Sequence, residues 1–213
     1  PRIKPASVAQ VEAVLPHLTP QVAAMVTLMQ HTGMRPNEVV QMRLADINMN
    51  SSTWTYTPQH HKTEHHDIER FIPLGPKAQR ILGPYLPNRK LTAAVFNPAE
   101  AEQWMREHRR ASRKTPDSCG NKPGTNCVAD PKRKPGAFYT VGAVRRAVTR
   151  ACQKAGVPEW TPRQLRKTFA TEVRREYGAE AVKLLLGHTG TGLIELYSDR
   201  DKSKAHGIAA SVG

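Results

Sequence analysis

Apolar residues recur every three or four positions along most of the chain, which is the spacing of amphipathic helices. Ser7 caps a first predicted helix, and Thr19 followed by proline begins a second one, which ends at Gly33. Pro36 begins a third, with Val39 and its neighbours facing inward. The same reasoning predicts helices over 76–85, 98–110, 141–156, 162–177, 180–186 and 199–212, and a short helical element at 191–197.

Two short runs break this helical pattern. Residues 53–57 and 70–74 are rich in residues that favour strands, and the polar stretch 60–67 separates them. We expect a small antiparallel hairpin or sheet with a mobile tip. The predicted fold class is therefore mainly α with a small antiparallel β-sheet (α+β), and there is no internal repeat.

A basic segment interrupts the helices between residues 106 and 134, where nine Lys or Arg residues stand against three acidic ones. Several prolines and glycines and almost no large apolar side chain occur there, so the segment buries too little surface to offset the entropy of ordering. We expect a flexible basic insertion at about 111–137.

Charge narrows the class of partner. The chain has 213 residues, enough for one good core, and a formal net charge of +14. Such an excess favours a polyanion, with nucleic acid as the default and an anionic membrane as the rival. Neither a convincing basic amphipathic helix nor an apolar run of about 20 residues supports a membrane. No charged stretch followed by an apolar one opens the chain, so secretion is not expected. Three irregularly spaced cysteines indicate a reduced, cytoplasmic protein.

Three segments carry candidate chemistry. In residues 161–171, an apolar stripe faces one way and arginines face the other, which alone is typical of an ordinary solvated helix face. About twenty residues later His188 follows a Leu-Gly pair, and Tyr197 comes nine positions after it. Near the start, Arg35 follows Thr-Gly-Met and precedes Glu38 by three residues.

These three segments, together with Lys62 in the polar stretch between the two strand-forming runs, resemble the four motifs of the tyrosine recombinase (phage integrase) family. The likeness covers nearly the whole chain, and all four motifs come in the family's order. In chain order they are Thr32–Gly33–Met34–Arg35 with Glu38, Lys62 ahead of 70–74, the stretch 165–171 with Arg166, and Leu186–Gly187–His188 with Tyr197.

The resemblance implies the catalytic-domain fold of that family and a site-specific DNA recombinase or integrase. It implies a 3′-phosphotyrosyl intermediate on Tyr197, formed without metal, ATP or other cofactor. Lys62 is then the acid that protonates the leaving 5′-hydroxyl, and His188 donates a hydrogen bond to a non-bridging oxygen. Arg35 and Arg166 complete the set of catalytic residues.

The physical chemistry of the two arginines agrees with this assignment. Attack on a phosphodiester turns one negative charge into roughly two, and a guanidinium offers a planar fork of donors that matches phosphate oxygens. Positioned charge of this kind is usually the largest catalytic contribution. Glu38 is expected to orient Arg35 or to cap the helix that follows it.

One position departs from the family pattern. Arg163 stands where the family usually has a histidine, three residues before Arg166. Arginine stays protonated and cannot accept the proton of the tyrosine, so Arg163 is expected to bind phosphate or to support the site. Base catalysis would then fall to His188, to water or to the phosphate itself.

Other polar residues are assigned to the DNA surface or left without a role. The expected DNA-binding residues are Lys132, Arg133, Arg145, Arg146, Lys167 and Arg174. The histidines at 60, 61, 65 and 66 could bind a metal, but no cysteine or carboxylate set completes a site, and a polar hairpin tip is preferred. No metal site is predicted.

Alternative functions remain open at this point. A type IB topoisomerase uses a very similar constellation, and Arg163 favours a catalytically impaired DNA-binding relative; an RNA-binding protein would explain the charge but not the motif order. We expect residues 1–213 to form the catalytic domain, with the N-terminal core-binding domain absent from this chain. The expected partner is double-stranded DNA, bound in the bacterial nucleoid by a homotetramer whose isolated domain is monomeric. The residues after Asp199 are expected to dock on a neighbouring subunit.

Overall fold

The computed structural model describes residues 4–59, 70–116, 118–119, 134–187 and 199–212, the last range with side chains from residue 205 onward. Eight α-helices and three strands lie within these ranges. The helices are α1 (Val8–Val14), α2 (Pro20–Thr32), α3 (Pro36–Val40), α4 (Pro76–Leu82), α5 (Pro98–Ala111), α6 (Val141–Ala155), α7 (Pro162–Leu186) and α8 (Asp199–Val212). The strands are β1 (Ile47–Asn48), β2 (Trp54–Tyr56) and β3 (Ile72–Leu74), and 3₁₀ turns cover Leu15–His17, Leu44–Asp46 and Gly83–Tyr85.

The strands form one antiparallel sheet in the order β1-β2-β3. Trp54 pairs with Leu74 and Tyr56 pairs with Ile72, which confirms the predicted pairing of the two strand-forming runs. Strand β1 adds a third member that the sequence pattern did not predict. It has only two residues, which are too few for an alternation of apolar and polar positions to predict a strand.

The main core lies where α1, α2, α4 and α6 pack together and against the sheet. Its largest fully buried side chains include Trp160, Tyr56, Phe96, Met25, Leu28 and Met29. The predicted class of mainly α with a small antiparallel sheet is confirmed.

A smaller core joins α7, α8 and the start of β3. It consists of Phe71, Phe169, Val173, Ala181, Leu185, Leu186, Ala205 and Ala209. The helix predicted over 199–212 is present as α8, and it packs on α7 and β3 of its own chain. Lys77 Nζ donates to the carbonyl of Val212 at 3.1 Å, and Thr55 Oγ1 lies 3.1 Å from His206 Nε2. Docking of this tail on a neighbouring subunit stays a prediction.

Helix α7 carries the second arginine motif and is bent by one glycine. Gly178 has φ 83° and ψ 179°, outside the helical region, and splits α7 into the two helices that the sequence predicted. The first described residues of the chain lie along the early part of α7. Thr168 Oγ1 donates to the carbonyl of Ala6 at 2.7 Å, and Gln164 Nε2 donates to the carbonyl of Lys4 at 3.0 Å.

The basic insertion is described only at its ends. Helix α5 runs to Ala111, so residues 106–111 are helical, and most of the predicted loop lies outside the described residues. Within the described part of the chain, no helix is both long enough and apolar enough to cross a bilayer.

Candidate active site

Arg35 lies at the sharp junction between α2 and α3. Gly33 ends α2 with φ 64°, a left-handed conformation that glycine adopts without strain. A β-carbon at this position would stand 2.4 Å from a ring carbon of Phe169 and 2.6 Å from Leu186, so α2 and α7 touch through the bare glycine backbone. Arg35 itself is extended, with φ −74° and ψ 150°, and is followed by proline at the first position of α3.

Glu38 holds Arg35 from the first turn of α3. Its Oε2 accepts the backbone N–H of Arg35 at 2.5 Å, and its Oε1 accepts Nη1 of the same residue at 2.9 Å. The carboxylate therefore both caps the helix and orients the guanidinium. Glu38 is 1% exposed, and the hydroxyl of Tyr56 donates to its backbone carbonyl at 2.7 Å.

Arg70 reaches the same carboxylate from the other side. It precedes β3, is 4% exposed, and its Nε donates to Glu38 Oε1 at 3.3 Å. Its Nη1 donates to the carbonyls of Phe71 at 3.1 Å and Leu185 at 3.2 Å. The end of α7 fits closely over this side chain, because a β-carbon on Gly187 would stand 2.9 Å from Nη1 of Arg70.

Arg166 projects from the second turn of α7 between the ends of two helices. Its Nη1 donates to the carbonyl of Gly33 and its Nη2 to the carbonyl of Leu186, both at 2.8 Å. These carbonyls lie at the C-terminal ends of α2 and α7, where helix dipoles favour a cation. The guanidinium is thus fixed in orientation by both ends of its fork.

The four side chains form an ionic cluster with one acid among three guanidiniums, and its formal charge is +2. Burial acts to raise the pKa of Glu38, but Arg70 and Arg35 outweigh it and hold that pKa below its ordinary range. Burial first, then repulsion from Arg35 and Arg70, lowers the pKa of Arg166 to about 9. Arg166 therefore still carries its charge at neutral pH.

This arrangement suits an anion with several oxygens. Arg70, Glu38 and Arg35 form two ion pairs that share the Glu38 carboxylate. The Arg35 side chain is 25% exposed, whereas those of Arg70 and Glu38 are 4% and 2% exposed, so Arg35 is the member of this group that meets solvent. Arg166, partly buried, approaches from α7. Two oriented guanidiniums over a buried acid can bind a phosphate without losing all their charge to that acid.

The structure brings together Arg35, Glu38 and Arg166 among the residues that the sequence singled out. Arg163 is the second residue of α7, and its side chain is exposed. Lys167 is half-buried on the same helix, while Arg174 on α7 and Arg145 and Arg146 on α6 are exposed. Lys62, His188, Tyr197, Lys132 and Arg133 lie outside the described residues, although His188 follows Gly187 directly in the chain.

Arg70 is the residue that the sequence analysis missed. It was counted only as part of a strand-forming run. One signal was available, since an arginine leads the otherwise apolar stretch Phe71–Leu74, and a charge in that place needs a buried partner. That partner is 32 positions away, and no local spacing points to it.

No group of histidine, cysteine or carboxylate side chains that could hold a metal occurs among the residues the structure describes. The four histidines at 60, 61, 65 and 66 fall outside that part of the chain.

Comparison with known proteins decides the family. The profile described as Phage integrase family matches residues 7–204. The chain belongs to the phage integrase family. The resemblance drawn from the four motifs is thereby confirmed.

Curated relatives of this integrase-family chain are tyrosine recombinases. The tyrosine recombinase XerC of Bifidobacterium longum subsp. infantis is 28% identical over 178 residues, which cover 83% of this chain and 42% of the relative. XerC of Bifidobacterium longum strain DJO10A matches with the same figures. The integrase-family chain thus spans less than half the length of these relatives.

Solved structures share the fold. The integrase from mycobacterium phage Brujita has a TM-score of 0.61 and 18% identity, with all of this chain and 59% of that chain covered. The Tn1549 transposon integrase in complex with circular intermediate DNA has a TM-score of 0.57 and 17% identity, covering 96% and 64%. The fold of this integrase-family chain is therefore the tyrosine recombinase catalytic-domain fold.

Proposed function

We propose that the protein is a site-specific DNA recombinase that cuts and rejoins strands through a 3′-phosphotyrosyl link to Tyr197. The partly buried cluster of Arg35, Glu38 and Arg166 carries this proposal. Arg166 and the Gly33 carbonyl to which it donates are 133 positions apart in the chain, yet they meet beside Arg35 and Glu38. Family membership and the order of the motifs support the same assignment.

The chemistry proposed for the site follows from the charge that develops. The tyrosine oxygen gives its proton to His188, to water or to the phosphate itself and attacks the phosphorus. The bond to the 5′-oxygen breaks, and that oxygen takes up a proton from Lys62. The negative charge on the phosphate oxygens roughly doubles on the way, and Arg35 and Arg166 stabilise it. His188 donates to a non-bridging oxygen. Neither a metal nor ATP takes part in the proposed steps.

Double-stranded DNA is the proposed partner. Two proteins of similar fold were solved with DNA, namely XerH bound to its difH substrate, with a TM-score of 0.52, and the Tn1549 integrase. The net charge of +14 supports the same partner. The exposed arginines of α6 and α7, Arg145, Arg146 and Arg174, are proposed to contact the DNA backbone.

The assembly is proposed from the same family. We infer that these 213 residues act as the catalytic domain, with a basic insertion at about 111–137, and that four copies act together on DNA. The core-binding domain expected of the family would complete the grip on DNA. The isolated domain is then a monomer that binds DNA weakly and with little sequence preference.

A suicide-substrate assay tests the proposal. The protein and its Tyr197→Phe variant are incubated with nicked duplexes that carry candidate sites, in EDTA and without ATP. The expected result is a covalent protein–DNA band from the parent and none from the variant. A band that survives in the variant would overturn the assignment of the nucleophile, and a band that requires added metal would overturn the metal-free mechanism.

A second arm addresses the departure at residue 163. Arg163 is exposed at the start of α7, three residues before Arg166, and it cannot serve as a base. If the parent binds DNA but forms no band, the Arg163→His variant tests whether this residue disables the site. Cleavage without exchange of both strands would instead favour a nicking–closing enzyme of the topoisomerase type.

A further inference from the structure

Arg70 links three segments of the site that are far apart in the chain. Through Nε it holds Glu38, which holds both the backbone N–H and the guanidinium of Arg35. Through Nη1 it holds the carbonyl of Leu185, one residue before the Leu186 carbonyl that accepts from Arg166. One buried side chain therefore contacts Glu38, which orients Arg35, and the residue next to Leu186, whose carbonyl orients Arg166. Arg35 and Arg166, the two arginines proposed to bind the phosphate, are called the clamp below.

The charge of Arg70 has a second effect, on the ion pair between Arg35 and Glu38. With Glu38 alone, Arg35 would form a neutral ion pair and attract an anion only weakly. Arg70 adds a third formal charge to this group, so Arg35, Glu38 and Arg70 together carry +1, and Arg166 raises the cluster to +2. Glu38 can then orient Arg35 without cancelling the field that a phosphate meets.

We propose that Arg70 is a positioning residue, which sets the geometry of Arg35 through Glu38 and that of Arg166 through the end of α7. The inference rests on the proposed strand-cleavage function. Arg70 donates to the protein itself and stays 4% exposed, so it acts on the clamp and not on DNA. Its replacement by lysine, which keeps the charge, should slow the chemical step and leave DNA binding nearly unchanged.

The chain contains a matched control in Arg89. This arginine also has a largely buried side chain, 10% exposed, and it also donates to one carboxylate and two backbone carbonyls. Its partners are Glu100, Tyr85 and Ala94, whereas the hydrogen bonds of Arg35 and Arg166 described above go to Glu38, Gly33 and Leu186. A purely structural arginine and a positioning arginine can therefore be compared with the same substitution.

The experiment uses Arg70→Lys and Arg89→Lys in the full chain, because lysine keeps the charge but loses the planar fork of donors. Two quantities are measured on nicked duplexes: the dissociation constant, and the rate of covalent product formation at saturating protein. We expect Arg70→Lys to lower the saturating rate by about 10²-fold, the usual effect of a small misplacement of catalytic groups. The dissociation constant should change by less than about twofold, and Arg89→Lys should leave the rate at the parent value.

Amide hydrogen exchange supplies a readout that needs no activity. The Arg35 amide is bonded to Glu38, and the Gly187 amide is bonded to Lys183 in the last turn of α7. Both amides should exchange roughly tenfold faster in Arg70→Lys, as expected from the loss of one charged hydrogen bond, and neither should change in Arg89→Lys.

The possible outcomes separate the two ideas. Equal saturating rates in the Arg70 and Arg89 variants would overturn the positioning role, as would unchanged exchange at both amides. If neither the parent nor its Arg163→His variant forms a covalent product on duplexes that they bind, the proposed function fails. The exchange experiment still decides whether Arg70 holds Glu38 and the end of α7.

Discussion

Two basic regions of this molecule differ in almost everything except the sign of their charge. The ionic cluster of Arg35, Glu38, Arg70 and Arg166 is largely buried, and each guanidinium is tied to carboxylate or carbonyl oxygens. The outer faces of α5 and α6 also carry arginines, but these are exposed, and the ion pair between Arg106 and Glu102 leaves the arginine side chain 59% exposed.

This difference in burial distinguishes arginines that can take part in the chemical step from arginines that only add to DNA affinity. A surface arginine is screened by water and salt and adds to long-range attraction with little geometric content. A buried guanidinium has been desolvated during folding, and its donors are already aimed when an anion arrives. Net charge alone predicts a polyanionic partner, whereas the residues proposed to act on the phosphate, Arg35 and Arg166, are guanidiniums whose orientation is fixed by hydrogen bonds to the protein.

Removal of the acid gives the largest expected effect. In Glu38→Leu, Arg70 and Arg35 lose the carboxylate between them, and breaking a buried ion pair from one side costs about 3–5 kcal/mol. Urea unfolding measures the change in the free energy of unfolding. The matched variant is Glu102→Leu, where the paired acid is 37% exposed and a loss within about 0.5 kcal/mol is expected. Similar losses in the two variants would contradict the contrast between the regions.

Replacement of Arg166, the second clamp arginine, should slow the chemical step. In Arg166→Lys, a single ammonium cannot donate to Gly33 and Leu186 and also offer a phosphate the remaining N–H groups that a guanidinium has. We expect the rate of covalent complex formation to fall by about 10²–10³-fold, the usual cost of losing a positioned donor. Single-turnover cleavage at saturating protein measures it. Arg145→Ala, on the exposed face of α6, is the control, and an equal fall in its saturating rate would contradict the comparison.

Acid should weaken the buried cluster in a defined window. The folded pKa of Glu38 lies below its ordinary value of 4.5, so its contribution to stability is present above pH 4.5 and is lost as pH falls through the folded pKa. The free energy of unfolding of the parent should therefore fall more steeply below pH 4.5 than that of Glu38→Gln. Binding of one proton limits the difference between the two slopes to about 1.4 kcal/mol per pH unit. Urea titrations from about pH 7 to pH 3, on either side of the ordinary carboxyl pKa, measure both slopes. Parallel slopes would mean that Glu38 is not the ionised acid of the cluster.

Substitutions in the exposed region should have the smallest effect, and they should change the salt dependence of DNA binding rather than the rate of cleavage. Arg145→Ala and Arg146→Ala each remove one proposed phosphate partner, and each should reduce the slope of log affinity against log salt by about 0.9. Fluorescence anisotropy with duplex DNA, at salt concentrations from about 50 to 200 mM, measures the slope. Lys183→Ala serves as the comparison, because Lys183 is already paired with Glu180. An unchanged slope in both arginine variants would remove α6 from the proposed DNA surface.

Most of the fold could be predicted because its signals are local. Caps such as Ser7 and breaks such as Gly178 act within a turn of the residues they affect, and the structure has both where the sequence indicates them. The contact of Glu38 with Arg35 spans three positions and is local in the same sense. Strand β1 gave no signal, because two residues are too few for a period.

Contacts between distant residues could not be predicted in this way. Arg70 meets Glu38 across 32 positions, and Arg166 meets Gly33 across 133. Such contacts depend on how the helices pack, which the apolar pattern restricts but does not determine. The packing of α8 on its own α7 and β3 is of this kind, since an apolar helix face does not specify which copy of the chain covers it.

The hydrogen bonds from Thr168 and Gln164 to the carbonyls of residues 6 and 4 attach the start of the described chain to α7. A displacement of the chain ahead of Lys4, for example by a fused tag, is expected to strain these two hydrogen bonds to the helix that bears Arg166. A rigid fusion ahead of Lys4 is therefore expected to disturb the start of α7, whereas a flexible spacer is expected to leave it in place.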